Sequence, residues 1–250
     1  MDKNQKFLMT IAYHGALYAG WQTQSNSLAI QDLIEQKLSV ILRQPVAVYG
    51  SGRTDSGVHA LAQTAHFTTT RSITPYRLQH QLNSTLPPSI RIVSISPVDP
   101  KFHARFSVKQ KTYLYQIWHG PIMNPFLEGL AWHINGPLDR SLMEQAIQKL
   151  IGIHDFKAFA AKNSVGPASV DGVRHLSQLS MLYKDELLSF ELSCNGFLYK
   201  MVRNLVGCLV GIGSKKLCLD AIDNAFNTGS RAVVGMTAPA HGLFLKKVSY

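Results

Sequence analysis

The chain has 250 residues, room for one large domain or two small ones around a core that needs no disulfide or metal. Hydrophobic residues make up 46% and charged residues 16%, with 18 glycines and 11 prolines, which excludes a disordered, collagen-like or low-complexity chain. Lys plus Arg number 25 against 15 for Asp plus Glu, a net charge of +10 that favours a polyanionic partner, although a basic protein without one carries charge equally well.

Cys194, Cys208 and Cys218 are odd in number, widely spaced and free of any C-x-x-C, so neither a disulfide framework nor a Cys-rich zinc site is expected. The first six residues run straight into a strand-like segment with no apolar signal region. The longest apolar stretch, Met201–Ile212, carries Arg203, Asn204 and two glycines and is too short and too polar to span a bilayer. A cytoplasmic protein with no membrane partner is expected.

Lys6–Tyr13 is apolar and β-prone and predicts a strand. Ser27–Arg43 predicts an amphipathic helix with Ile30, Leu33, Ile34, Leu38 and Ile41 as its stripe and Ser27 as its cap. Short strands follow at Val46–Tyr49 and Ala62–Thr69, then a helix at Leu78–Leu86 stopped by Pro87-Pro88, and a strand at Ile90–Ile95. Lys111–His119 alternates like a strand. Asp139–Ile151 predicts a helix with Leu142, Met143, Ala146, Ile147 and Leu150 on one side and Gly152 as its stop. Val173–Leu182 and Leu187–Cys194 form a hairpin across Lys184-Asp185-Glu186. Phe197–Ile212 reads as a buried helix, Leu219–Phe226 as a short one, and Leu243–Val248 as a final strand. Helices and strands alternate in both halves without a sustained βαβ period, which predicts an α+β fold with mixed sheets, divided into residues 1–105 and 106–250.

Three segments can carry chemistry. Tyr49-Gly50-Ser51-Gly52-Arg53-Thr54-Asp55-Ser56-Gly57-Val58-His59 sets three glycines among Arg53, Asp55 and His59 between two strands. It lacks the Gly-Lys-Ser/Thr end of a P-loop and the spacing of a dinucleotide fingerprint, and a decorated turn with Asp55 as turn former fits the spacing as well as a functional loop does. Phe102-His103-Ala104-Arg105-Phe106, continued by Lys109, Lys111, Tyr113 and Tyr115, interleaves rings with cations, as a surface that stacks on bases and meets phosphates would; an edge strand with a solvated basic face is the plainer reading. Arg203 stands in an apolar helix. A guanidinium cannot shed its charge, so burial there calls for an anion such as an Asp on the Gly-rich turn, while a surface-seeking side chain needs none. No H-E-x-x-H, paired helical His or acidic cluster suggests a metal, and His66 and His133 read as structural. A hydrolase using Asp55 and His59 lacks any recognisable acyl or phosphoryl motif.

Together these segments resemble the TruA family of tRNA pseudouridine synthases. The matching pieces are Tyr13-x-Gly15, Tyr18-x-Gly20-Trp21-Gln22, Gly52-Arg53-Thr54-Asp55-Ser56-Gly57-Val58-His59, His66-Phe67, Leu82-Asn83, Leu86-Pro87 and Phe102–Phe106. Tyr113-x-Tyr115, His154-Asp155-Phe156, Phe197-Leu198, Met201-Val202-Arg203-Asn204, Ala238-Pro239 and Gly242-Leu243 continue them in the family's order. The resemblance implies an isomerase that converts uridine to pseudouridine at positions 38, 39 and 40 of the tRNA anticodon stem-loop. It implies two ferredoxin-like halves sharing a mixed, mostly antiparallel sheet with a central catalytic cleft, a homodimer, and no cofactor or metal. By the same resemblance Asp55 is the catalytic aspartate, Arg203 its paired arginine and Tyr113 the active-site tyrosine. Arg53 is linked to base flipping, and His59 with Phe102, His103, Ala104, Arg105 and Phe106 is expected to meet the tRNA. A non-catalytic tRNA-binding protein would share the charge and the rings, but has no need of the intact Gly52-Arg53-Thr54-Asp55 run. The chain departs from the family at His14, where Asp is usual, and at His241, where Glu is usual. Lys162–Gly172 is expected to be a tRNA-contacting loop.

Overall fold

The computed structural model describes residues 4–23, 27–161 and 171–250, so nine of the eleven positions in the expected loop at Lys162–Gly172 lie outside the described residues. The chain separates into two compact units, one of residues 1–109 with 244–250 and the other of residues 110–243.

The first unit holds β1 (Gln5–Tyr13), α1 (Ile30–Leu42), β2 (Tyr49–Gly50), β3 (His59–Thr69), α2 (Pro75–Thr85), β4 (Ile90–Pro97) and, from far along the chain, most of β10 (Leu243–Ser249). The β1–β4 sheet runs β4-β1-β3-β2 and is antiparallel throughout, which with α1 and α2 makes the βαββαβ order of a ferredoxin-like unit. The far edge of β3 is shared: β2 pairs with Ala65 and His66, and β10 runs parallel to His59 and Ala60. Alternation sets the core. Phe7, Met9, Ile11 and Tyr13 of β1 are buried with Ala65 and Phe67 of β3, against Ile30, Ile34, Leu38 and Leu42 of α1 and Leu78 and Leu82 of α2. Each buried Leu, Ile, Phe or Met among them contributes about 1.5–3 kcal/mol.

Helix α1 starts at Ile30, three residues later than the sequence suggests, with Ala29 rather than Ser27 at its cap. No capping side chain is needed, because its first free N–H groups, Ile30 and Gln31, donate to the carbonyls of Gly20 (3.2 Å) and Trp21 (3.0 Å). Helix α2 also repairs the sheet. Register slips between β1 and β4 at Thr10/Ile11, leaving Val93 as an extra residue. Gln79 Nε2 donates to the Val93 carbonyl (2.8 Å), and Asn83 accepts from the Ile92 N–H (2.8 Å) while donating to its carbonyl (2.9 Å).

The second unit holds β5 (Gln110–His119), β6 (Trp132–Ile134), α3 (Arg140–Leu150), β7 (Gly152–Asp155), β8 (Val173–Lys184), β9 (Leu187–Cys194), α4 (Met201–Gly213) and α5 (Ala221–Thr228). Strands β5-β9-β8-β7 pair antiparallel and β6 lies parallel to the end of β5. The β8–β9 turn forms where expected, with Asp185 left-handed (φ 55°). Asp139 caps α3 by accepting the Leu142 N–H at 3.2 Å. Helix α4 is apolar nearly all round and buried along most of its length, as a core helix should be. It begins at Met201, not Phe197, because Lys200 is left-handed (φ 59°) and breaks the helical path. Among the described residues no helix is long and apolar enough to cross a membrane.

Candidate active site

The Gly-rich loop between β2 and β3 carries Asp55, and the chain before α1 fixes it from behind. Trp21 N–H donates to the Thr54 carbonyl (3.2 Å), the Tyr13 and Thr54 hydroxyls share a bond of 2.8 Å, and the Ser56 hydroxyl donates to the Tyr18 carbonyl (3.2 Å). Burial pushes the Tyr13 phenol well above its usual range, so it stays a hydroxyl. A Cβ at Gly15 would sit on the Val58 carbonyl, and one at Gly20 (φ 99°) on the Thr54 carbonyl; only glycine lets these main chains meet. Gly57 (φ 77°) closes the turn, with Val58 N–H donating to the Asp55 carbonyl at 3.1 Å. Gln63 anchors the other side, donating to the Gly52 carbonyl (2.9 Å) and accepting from the Ser51 hydroxyl (2.7 Å). The result is a main chain held on both flanks, with Thr54 buried, Asp55 half-buried and Arg53 exposed.

His59 lies behind this wall. It is 1% exposed, its Nδ1 accepts the Gly15 N–H at 3.0 Å, and its ring stacks on Phe244 with centroids 4.7 Å apart. His14 meets the same ring edge-on at 4.5 Å, so the departure from Asp at this position places a second imidazole against the first.

Phe102–Phe106 forms a turn on the first unit whose backbone is bolted to a buried histidine. Ala104, fully buried, donates its N–H to His66 Nδ1 (3.1 Å), and its carbonyl accepts from the Tyr250 hydroxyl (3.0 Å). Lys6 Nζ donates to the carbonyls of Phe102 (2.9 Å) and Pro100. Burial above all, then the charges of His103 and Lys6, lowers His66 to about 4 from its ordinary 6.5. His103 is lowered too, by desolvation, Lys6 and Arg105. Between about pH 6.5 and 4 the unfolded chain therefore binds a proton at His66 that the folded chain refuses, and stability falls as the pH drops through that window. His66→Asn keeps an acceptor for Ala104 and removes the titration. Its stability deficit against wild type, measured by urea unfolding, should be largest at pH 7 and narrow towards pH 4.5.

In the second unit Tyr113 and Tyr115 share one face of β5, two residues apart. Tyr113 is 8% exposed and meets Phe197 edge-on at 5.1 Å. Tyr115 donates its hydroxyl to the Pro239 carbonyl (2.8 Å), and burial raises its phenol well above the usual range while the charge of Arg203 opposes this. Arg203, half-buried on α4, donates Nε to the Ala238 carbonyl at 2.8 Å, and its own carbonyl accepts the Ala238 N–H at 3.0 Å. A Cβ at Gly207, one turn on, would overlap the Met236 carbonyl. Residues 236–239 thus lie tight along the side of α4 that carries Arg203.

Asn204, fully buried, completes the clamp. It donates to the Phe159 carbonyl (2.7 Å) and accepts from Arg231 Nη2 (3.0 Å) and the Thr237 hydroxyl (2.6 Å). Asn204→Leu would leave the Phe159 carbonyl without this donor and the Thr237 hydroxyl without this acceptor, while Arg231 keeps Thr237 and Gly235, and should lower the unfolding free energy by about 2–4 kcal/mol in urea titrations. Its clamping role was not read from the sequence, although a second polar residue beside Arg203 in an apolar helix was the available signal. Nor were the roles of Gly15 and Gly20, whose close approaches join segments some 40 residues apart. Among the described residues no group of three or more His, Cys, Asp or Glu side chains could hold a metal ion.

Residues 9–107 and 146–250 match the tRNA pseudouridine synthase family, and the chain belongs to it. Enzymes of this class are isomerases acting on tRNA. The chain is 39% identical over 245 residues to tRNA pseudouridine synthase A 1 of Protochlamydia amoebophila, covering 98% of this chain and 96% of that protein. It is 41% identical over 243 residues to tRNA pseudouridine synthase A of Anoxybacillus flavithermus (96% and 97% covered) and 39% identical over 249 residues to that of Thermodesulfovibrio yellowstonii (97% and 98%).

Proposed function

We propose that this protein converts uridine to pseudouridine at positions 38, 39 and 40 of the tRNA anticodon stem-loop, with Asp55, Arg203 and Tyr113 serving one reaction. The observation that carries the reading is a half-buried carboxylate on a main chain fixed from behind by Gly15, Gly20 and Tyr13, in a chain of this family. Such a carboxylate meets its substrate without first ordering its loop, the positional advantage that effective catalysis needs.

The isomerisation breaks the C1′–N1 bond and joins C1′ to C5. The C5 proton leaves to a base, N1 gains a proton, and no electron enters or departs. Asp55 acts as a carboxylate at C1′ or at C6, or stabilises the sugar cation. Arg203, aimed by the Ala238 carbonyl, supplies the balancing positive charge. Tyr113 lies flat to the detached uracil and takes the C5 proton directly or through water. The target base must first leave its stack, which costs a few kcal/mol, and exposed Arg53 fills the space it vacates. Phe102, His103, Arg105 and Phe106 meet the tRNA away from the reacting base, whereas Ala104 and His59, expected from the sequence to touch it, are buried and serve from behind by holding the turn and the Asp55 loop in place. The enzyme works as a cytoplasmic homodimer.

Unmodified tRNA transcripts incubated with the protein and mapped for pseudouridine test this. Product at positions 38–40 is expected. Product confined to other positions overturns the assigned site, and no product on any transcript overturns the activity.

A further inference from the structure

The first unit carries a run of rings that takes no part in the isomerisation itself. Tyr49 stacks on His66 (centroids 5.1 Å, planes 22° apart), His66 meets His103 edge-on at 4.6 Å, and His103 lies 4.3 Å from Phe106 at 30°. Tyr49 also reaches His103 at 5.9 Å. The two ends of this run are open to solvent: Phe106 is 77% exposed and Tyr49 52%. Its middle is rigid, because His66 is buried and holds the Ala104 N–H, while Ala104 is tied in turn to Tyr250. A cation flanks the outer ring, with the exposed Arg105 guanidinium 5.9 Å from the Phe106 centroid.

We infer that Tyr49, His103 and Phe106 form a stacking platform for an unpaired nucleobase of the tRNA, whose phosphate is met by Arg105. The inference rests on the proposed tRNA contact of Phe102–Phe106 and extends it to Tyr49 and to the mode of recognition. The physical argument is that every base has a π-face, so rings held open and preorganised accept one without an ordering cost, and a neighbouring guanidinium suits the phosphate that accompanies it. His66 touches no nucleotide in this scheme; it positions the platform by fixing Ala104. Its burial and His103's lowered proton affinity keep both imidazoles uncharged at neutral pH, which lets four rings pack without repulsion.

Binding of an unmodified tRNA transcript to full-length protein decides the matter, measured at 50 and 200 mM KCl for Phe106→Leu, Tyr49→Leu, Phe106→Trp and Arg105→Ala. Both leucine variants should bind about 5- to 100-fold more weakly, by the same factor at either salt, because stacking is not a counterion effect. Phe106→Trp should bind as tightly as wild type, with its indole fluorescence quenched by tRNA. Arg105→Ala should lower the salt slope by about one. Leucine variants within twofold of wild type, or an indole blind to saturating tRNA, overturn the platform. Circular dichroism melting checks that these surface changes leave the fold intact. An Asp55→Ala arm separates the two readings: pseudouridine formed by that variant removes the proposed catalysis, whereas normal binding by the leucine variants removes only the platform.

Discussion

Replacing Asp55 with alanine should abolish release of tritium from C5-labelled tRNA, a loss of more than about 10⁴-fold, while tRNA affinity stays within a few-fold of wild type. The size follows from the role, since removing the group that makes or stabilises the reacting centre leaves only binding and orientation behind. Retained affinity follows from the loop's construction. Its shape is set by main-chain bonds from Trp21 to Thr54 and from Val58 to Asp55, by the Tyr13–Thr54 hydroxyl pair, and by glycines, none of which needs the carboxylate. Asp55→Asn should be equally inactive, because it keeps the shape and removes the charge. Turnover by either variant would dismiss the carboxylate from the reaction, and a melting temperature far below wild type would mean that the loop had not been preserved.

Gly207→Ala should be the most damaging single-carbon change in the second unit. A mid-helix glycine ordinarily gains about 1 kcal/mol on mutation to alanine. Here the new Cβ overlaps the Met236 carbonyl, which is backbone and cannot rotate aside. Overpacking costs about 1–3 kcal/mol, and a clash with backbone falls in the upper part of that range, so after the helical gain urea unfolding should show a net loss of about 1–2 kcal/mol. The functional effect should exceed the structural one. Residues 236–239 must lift off α4, carrying the Ala238 carbonyl away from Arg203 Nε. With substrate saturating and the temperature well below unfolding, kcat should fall about 10- to 100-fold with little change in KM. A variant more stable than wild type would show that the segment yields freely.

The parts of this fold written in local pattern were legible. Most of the α1 stripe (Ile30, Ile34 and Leu38, with Leu42 buried in place of Leu33 and Ile41) and of the α3 stripe (all but Leu142), the stops at Pro87 and Gly152 and the hairpin at Asp185 depend on residues that are near neighbours in sequence. Parts that depend on distant partners were not. The sequence places the third strand from Ala62, but it begins at His59, where Phe244 and Leu245 supply the pairing from the other end of the chain. β6 and β7, three and four residues long, carry too little periodicity to be seen. Val46–Tyr49 pairs only at Tyr49, with Gly50 in place of the earlier residues. Asp55 and Arg203 stood out because each breaks its surroundings, a carboxylate among glycines and a cation among aliphatics. Gly15, Gly20 and Asn204 entered only as motif positions without a structural role, since the groups they serve belong to residues that no window around them contains.

The shared edge of β3 bears on how the protein is made. Residues 244–250 leave the ribosome only after the whole of the second unit, so the nascent first unit waits with His59 and Ala60 lacking their partner on that edge and with Thr64 and Ala104 lacking the Tyr250 hydroxyl. At ordinary elongation rates of about 5–20 residues per second, that interval lasts several seconds or more. Order of synthesis and order of completion are therefore reversed for this unit, and its exposed strand is the place where a chaperone, or a neighbouring polypeptide, has time to engage.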